Sequence, residues 1–206
     1  MSAVEAWSVI ADWVMAAAAV VAAGAALYGL NTWKNQNIWV ADSDLARRVL
    51  IEVYRYRDSL YSVRHPAMSN SEMHLADDEA VGLSEDHRRR QGVVTAYVRR
   101  WERHGERKNE LDALLIETDA VWGPDLSGLV SKLKALDHEL FVYIKLFLDA
   151  NYRGDTELAQ SYRGILKTKR DIIYDRLDEE DAFRQDFVKA LGPVEQYLRG
   201  KLGRTT

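Results

Sequence analysis

IADWVMAAAAVVAAGAALYGL, residues 10–30, is the stretch that decides the predicted architecture. No residue between Asp12 and Lys34 carries a charge. A helix needs about 20 apolar residues to cross the ~30 Å hydrocarbon core of a bilayer, which is the length of this stretch. Its few large apolar side chains contribute about −3 kcal/mol to insertion, because each contributes roughly −0.3 to −0.6 kcal/mol and alanine adds little. The stretch therefore predicts one N-terminal transmembrane helix.

Amphipathic side chains flank this stretch at both ends, as they do at the two interfaces of a membrane-spanning helix. The predicted membrane-interface residues are Trp7, Trp13, Tyr28, Trp33 and Lys34. A cleaved signal peptide is the first alternative, but it requires a basic segment before its apolar core. No Lys or Arg precedes Lys34. The second alternative is an alanine-rich helix buried in a soluble core, and the aromatic residues at both ends disfavour it.

Positive charge predicts the orientation of the span. The N-terminal flank has no Lys or Arg, whereas Lys34, Arg47 and Arg48 follow the apolar stretch. The positive-inside rule then places the N-terminus outside and the C-terminal domain in the cytoplasm, which means the inner membrane if the protein is bacterial. The chain has no cysteine. Disulfides and thiolate zinc sites are excluded, and this composition suits a reducing compartment.

The sequence after the span predicts an all-α fold, because its apolar residues recur at helical spacings of three and four. We expect an anchor at 1–33, a juxtamembrane connector at 34–43 and a cytoplasmic antiparallel bundle of about five helices at 44–202. An acidic loop at about 66–84 interrupts this domain and is either functional or a disordered connection. The predicted helices are 44–64 (capped by Asp42 or Ser43), 84–121, 125–150, 158–177 and 183–202, the last bent or split at Gly192-Pro193.

The helix at 84–121 has a polar centre around Gly105, where it either continues or kinks. Three Arg–Glu pairs at i,i+3 spacing favour one continuous helix. They are Arg99–Glu102, Arg103–Glu106 and Arg107–Glu110.

Local motifs of catalysis and metal binding are absent from the sequence. No His has an acidic residue three positions before it, and no His-Glu-x-x-His occurs, so carboxylate-bridged and zincin-type metal sites are not predicted. A glycine-rich phosphate loop and a Gly-x-Ser-x-Gly elbow are also missing. We therefore expect no cofactor, no metal and no enzymatic activity.

One string is an exception to this search. Residues 99–104 read RRWERH, an Arg-x4-His spacing between Arg99 and His104. This string resembles the motif of the HEPN ribonucleases, which are helical bundles in which Arg and His act together on an RNA phosphodiester. The resemblance covers six residues, and Arg100 replaces the polar residue usual after the first Arg. It implies an alternative function, a membrane-tethered ribonuclease effector with Arg99 and His104 as catalytic residues.

A basic block at 88–108 could contact nucleic acid or anionic lipid. Acidic residues interleave with it, and the chain as a whole carries a net charge of −4. Nucleic acid is therefore not an expected partner, and lipid contact is the sharper alternative.

Small residues along the predicted span could bring two helices close together, because close packing is what drives helix association in lipid. The predicted self-association seam is Ala18, Ala22, Ala25 and Gly29. The sequence thus predicts a membrane-tethered interaction, assembly or sensing module with membrane lipid and an unidentified protein as partners. It is expected to form a homo-oligomer through the span. A span that oligomerises into a membrane lesion or channel is a further alternative.

Overall fold

The computed structural model describes residues 3–153 and 157–203, without the side chains of residues 3–12, 14, 16–19 and 23. All regular secondary structure in these ranges is helical, which confirms the all-α prediction. The helices are α1 (Ala3–Arg64), α2 (Asn70–Met73), α3 (Asp77–Ala80), α4 (Glu85–Trp122), α5 (Asp125–Asn151), α6 (Glu157–Lys167) and α7 (Ala182–Lys201). The chain divides into two compact units, Met1–Asp44 and Leu45–Thr206.

The first unit contains the greater part of α1, which continues without a break through the predicted connector at 34–43. Asp42 and Ser43 therefore do not cap a new helix, and this part of the prediction is wrong. The physical reason is that residues 31–64 contain neither Gly nor Pro, the residues that stop helices most effectively. The helix ends at Arg64, as predicted from Pro66.

The predicted membrane span gains no support from the described residues, among which no helix is long and apolar enough to cross a bilayer. Nine of the 21 residues at 10–30 are alanine, which contributes little to insertion. Part of the prediction, including the side chains of Trp7 and Ala18, lies outside the described residues.

The second unit is a helical bundle with one hydrophobic core. Its buried residues recur at the predicted helical spacing, and Leu140, on the predicted inner face of α5, is completely buried. Each of four helices contributes a stripe: Leu45, Val49, Val53, Tyr56, Leu60 and Val63 from α1; Val94, Tyr97, Leu111 and Leu115 from α4; Leu126, Val130, Leu133, Leu140 and Ile144 from α5; Phe183, Phe187, Leu191, Val194 and Leu198 from α7.

The long helix α4 is continuous through Gly105, as predicted. The Ser84 hydroxyl accepts a hydrogen bond from the backbone N–H of His87 at its N-terminus. Gly123 ends the helix with a φ of 84°, a conformation that favours glycine. Of the three predicted Arg–Glu pairs, Arg107–Glu110 forms, at 2.6 Å.

The segment between α6 and α7 differs from the prediction. Helix α6 ends at Lys167 instead of continuing to residue 177, yet Ile172 and Ile173 are buried. Asp side chains bond backbone N–H groups two residues ahead of them, as Asp175 does with Leu177 at 2.9 Å. Such bonds offer the backbone an alternative to the helix. The last helix, α7, is not split at Pro193.

A buried ion pair fixes this irregular segment against the end of α1. Arg64 donates to Asp181 at 2.8 Å and to the backbone carbonyl oxygens of Ile172 and Tyr174, each at 2.8 Å. Both charged side chains are almost completely buried. The last residue of α1 therefore determines where the chain between α6 and α7 lies.

Candidate functional site

The two residues of the Arg-x4-His string lie on α4 and have different partners. Arg99 donates to the backbone carbonyl oxygens of Ser71 at 3.1 Å and Glu72 at 3.0 Å. His104 is completely buried, and its Nδ1 atom lies 2.8 Å from Ser59 Oγ. Each side chain is thus engaged by a different part of the bundle, and the ribonuclease interpretation remains a prediction from the sequence.

The other ring nitrogen of His104 bonds a buried carboxylate on α5. His104 Nε2 lies 2.5 Å from Asp137 Oδ1, and Lys108 Nζ lies 2.7 Å from Asp137 Oδ2. Burial raises the pKa of Asp137, but the hydrogen bonds from His104 and Lys108 outweigh burial and leave this pKa below its ordinary value. Asp137 is therefore an ionised acceptor, and the proton in this bond sits on His104 Nε2.

Arg100, which the sequence analysis treated as a departure from the motif, holds the predicted acidic loop. Its side chain is 3% exposed and binds both oxygens of Glu72, at 3.0 and 2.9 Å. It also donates to the backbone carbonyl oxygens of His65 at 2.6 Å and Ala67 at 2.5 Å. These contacts, called here the Arg100 clamp, hold residues 65–72 against α4.

The Arg100 clamp keeps the Glu72 carboxyl group ionised. The hydrogen bond from Arg100 is the largest cause that lowers the pKa of Glu72 to about 2, and it prevails over burial, which raises this pKa. The exposed Arg103 adds a second cation, 2.9 Å from Glu72. The acidic residues 77–79 stay exposed, so the loop is anchored at one end and presents its acidic run to solvent.

The predicted membrane-interface residues whose side chains are described are all exposed on α1: Trp13, Tyr28, Trp33 and Lys34. Trp7 lies outside the described side chains. In the predicted self-association seam, Ala22, Ala25 and Gly29 are exposed, and Ala18 lies outside. A Cβ atom added at Gly29 would meet no heavy atom within 4 Å. The seam is therefore free of contacts from the described part of the chain at this position.

An apolar groove between α4 and α5 was not predicted from the sequence. Its volume is about 270 Å³, and we call it the α4/α5 groove. Tyr97 and Trp101 line one wall and Ile144 and Leu148 the other. Phe141 is 40% exposed there, with its ring centroid 5.1 Å from that of Trp101. One feature of the sequence pointed to this groove. The apolar stripe of α5 is wide, so part of its apolar surface is not covered by the core.

No group of His, Asp or Glu residues suited to a metal ion occurs in the part of the chain that the structure describes. Comparison with protein-family models, curated proteins and solved structures finds no match to this chain.

Proposed function

We propose that this protein is a helical interaction module held at a membrane by the first half of α1. The observation that carries the proposal is a run of exposed large apolar side chains along that helix. They are Trp13, Met15, Val20, Val21, Leu27, Tyr28, Leu30, Trp33, Ile38, Trp39 and Val40. Apolar surface of this extent marks contact with a membrane or another protein.

Lipid is the occupant that the sequence favours. These side chains occur on every side of the helix, and a helix that is apolar all round is buried in a large core or in a bilayer. The helix carries no charge from residue 13 to residue 33 and has aromatic residues at both ends of this stretch. Lys34, Arg47 and Arg48 follow it, which supports a cytoplasmic position for the bundle.

The α4/α5 groove supports the second half of the proposal, an interaction with a protein. Aromatic side chains in a partly exposed apolar groove are typical of contact sites between proteins. Glu102 and Lys145 also line this groove and offer charged groups to a partner. No described contact favours the ribonuclease or the membrane-lesion alternative over this one.

Alkaline carbonate extraction of membranes from cells that express the full chain tests the tether. The wild type should remain in the membrane pellet. A Val20→Asp/Val21→Asp double variant should move to the supernatant, because each Asp costs about 2.5–3.5 kcal/mol in a bilayer and the stretch gains only about 3 kcal/mol.

Val81→Asp is the matched control, since Val81 is 78% exposed and the two α1 valines are 72% and 71% exposed. This variant should remain in the pellet. A wild type found in the supernatant would refute the tether.

A further inference from the structure

A cleft between α1 and α4 contains a side-chain arrangement that the tethering role does not use. Its volume is about 260 Å³, and Ser59, Ser62, His104, Arg103 and Arg107 line it. A second depression of about 490 Å³ shares Ser59 and Arg107 with it. We call this combined space the Ser59 cleft, and Ser59 is half-buried in its wall.

Three residues from three helices form a chain of two hydrogen bonds that starts in this cleft. Ser59 Oγ on α1 lies 2.8 Å from His104 Nδ1 on α4, and His104 Nε2 lies 2.5 Å from Asp137 Oδ1 on α5. His104 and Asp137 are both completely buried. A nucleophile, a base within hydrogen-bond reach and an acid that orients the base are the parts of an activated serine.

The tautomer of the neutral His104 ring follows from its partners. Lys108 Nζ donates a hydrogen bond to Asp137 Oδ2 at 2.7 Å and so stabilises the ionised carboxylate. Asp137 Oδ1 then accepts a hydrogen bond from His104 Nε2–H. In the neutral ring, Nδ1 then keeps a lone pair that faces the Ser59 hydroxyl. The carbonyl oxygen of Tyr56, also 2.8 Å from Ser59 Oγ, is the competing acceptor within α1.

The lining of the Ser59 cleft contains four arginines (Arg55, Arg100, Arg103 and Arg107) and two acidic residues (Asp58 and Glu106), and this excess of positive charge indicates the class of substrate. Arg103 donates to Glu72 and to the carbonyl oxygen of Arg99, and Arg107 donates to Glu110. Each guanidinium keeps at least one nitrogen for which the described part of the chain provides no hydrogen-bond acceptor. Free guanidinium N–H groups bind carboxylate and phosphate oxygens well. The helical backbone around Ser59 has no spare N–H groups, so these guanidinium groups would also stabilise a developing oxyanion.

We infer that Ser59 is a nucleophile that cleaves small carboxylic esters bearing a negative charge, with His104 as its base and Asp137 as a positioning residue. Ser59 Oγ bonds the ester carbonyl carbon while its proton moves to His104 Nδ1. The bond to the leaving alcohol oxygen breaks, and His104 returns the proton to that oxygen. Water then hydrolyses the acyl-serine by the same path, and a carboxylic acid and free Ser59 result.

A fluorophosphonate probe tests this directly on the full-length protein in detergent micelles. Ser59 Oγ would bond phosphorus, fluoride would leave and His104 would take the proton. Mass spectrometry should find the adduct on Ser59 in the wild type and none in Ser59→Ala. Labelling of Asp137→Asn should be at least about tenfold slower, because an amide does not hold the required tautomer.

Ser131→Ala is the matched control. Ser131 is exposed on α5 and bonds the carbonyl oxygen of Gly128 three residues earlier at 2.7 Å, as Ser59 bonds that of Tyr56, but it has no histidine partner. The labelling rate of Ser131→Ala should equal that of the wild type. The inference would be wrong if the folded wild type formed no adduct at Ser59 or was labelled equally at Ser131. The hydrogen bonds that join Ser59, His104 and Asp137 would then have only a structural role.

Arg107→Gln provides a readout that does not depend on the buried residues. Its side chain is partly exposed, so the fold should tolerate the change. The KM for an anionic nitrophenyl ester should rise about tenfold, as expected for the loss of a charge-assisted contact. The KM for a neutral nitrophenyl ester should rise much less, whereas kcat should fall for both esters, because both lose an oxyanion contact. An equal rise in KM for both esters, or no hydrolysis of either ester by the wild type, would contradict the assigned substrate class.

Discussion

Arg100 and Glu72, which lie 28 residues apart in the sequence, form a bidentate ion pair. Arg100 Nε lies 3.0 Å from one carboxylate oxygen of Glu72, and Arg100 Nη2 lies 2.9 Å from the other. The same guanidinium binds the carbonyl oxygens of His65 and Ala67. One side chain on α4 thus supplies hydrogen bonds to residues 65–69, which have no regular structure, and to Glu72 on the short helix α2. The pair explains how a segment predicted as an acidic loop is held against the bundle.

Arg100→Met should lower the free energy of unfolding by about 2–3 kcal/mol, because it removes the almost completely buried partner of Glu72 and the donor to the carbonyl oxygens of His65 and Ala67. Arg103→Met is the control. Arg103 binds the same carboxylate, but its side chain is 58% exposed, so its loss should cost no more than about 1 kcal/mol. Thermal unfolding followed by circular dichroism measures both. Equal losses would show that the clamp does not hold the loop.

Glu72 should make stability depend on pH under acid conditions. Its pKa in the folded protein is about 2, below its ordinary value of 4.5, so its contribution is fully present above that ordinary value. The contribution is lost as the pH falls through the folded pKa. The stability difference between wild type and Glu72→Gln should be constant at neutral pH and shrink between about pH 5 and pH 2. A difference that stays constant over this range would contradict the assigned ion pair.

Alanine substitutions at two glycines of α4 should change the stability of the protein in opposite directions. A Cβ atom at Gly92 would lie 2.7 Å from the carbonyl oxygen of Met73, so Gly92→Ala should push α2 away and destabilise the bundle by about 1–3 kcal/mol. A Cβ atom at Gly105 would meet no heavy atom within 4 Å. Gly105→Ala should stabilise the helix by about 0.5–1 kcal/mol. Melting temperatures give both signs, and a stabilising Gly92→Ala would contradict the contact between α2 and α4.

Self-association through α1 should weaken in Gly29→Ile. Bulk at this position blocks the close approach of a second helix, while the segment stays apolar enough to insert. Chemical crosslinking in native membranes should give a dimer or larger species for the wild type and less for the variant. The seam is not the interface if both proteins give only monomer or the same set of crosslinked species.

The sequence predicted those parts of the bundle that depend on local spacing. The buried stripes, the start of α4 after Ser84 and the end of α1 before Pro66 follow from helical periodicity and from the conformational limits of single residues. The early end of α6 also had a local signal, the repeated Asp residues after Lys169, which compete with the helix for backbone N–H groups.

Contacts between distant residues had no such signal. Ser59 and Asp137 lie 45 and 33 residues from His104, so no motif of fixed spacing could bring the three together. A local motif such as a Gly-x-Ser-x-Gly elbow could not indicate them, because their arrangement depends on the packing of α1, α4 and α5. The role of Arg100 could not be predicted from a local pattern either, because it depends on where α2 lies.

The topology of the full chain in living cells tests the proposed tether most directly. We expect a reporter that is active only in the cytoplasm to be active when fused after Thr206, and the fusion to sediment with membranes, because the basic flank follows the apolar half of α1. A reporter active only outside the cytoplasm should be silent at the same position. Activity of that second reporter, or a fusion found entirely in the supernatant, would contradict a bundle held on the cytoplasmic side of a membrane.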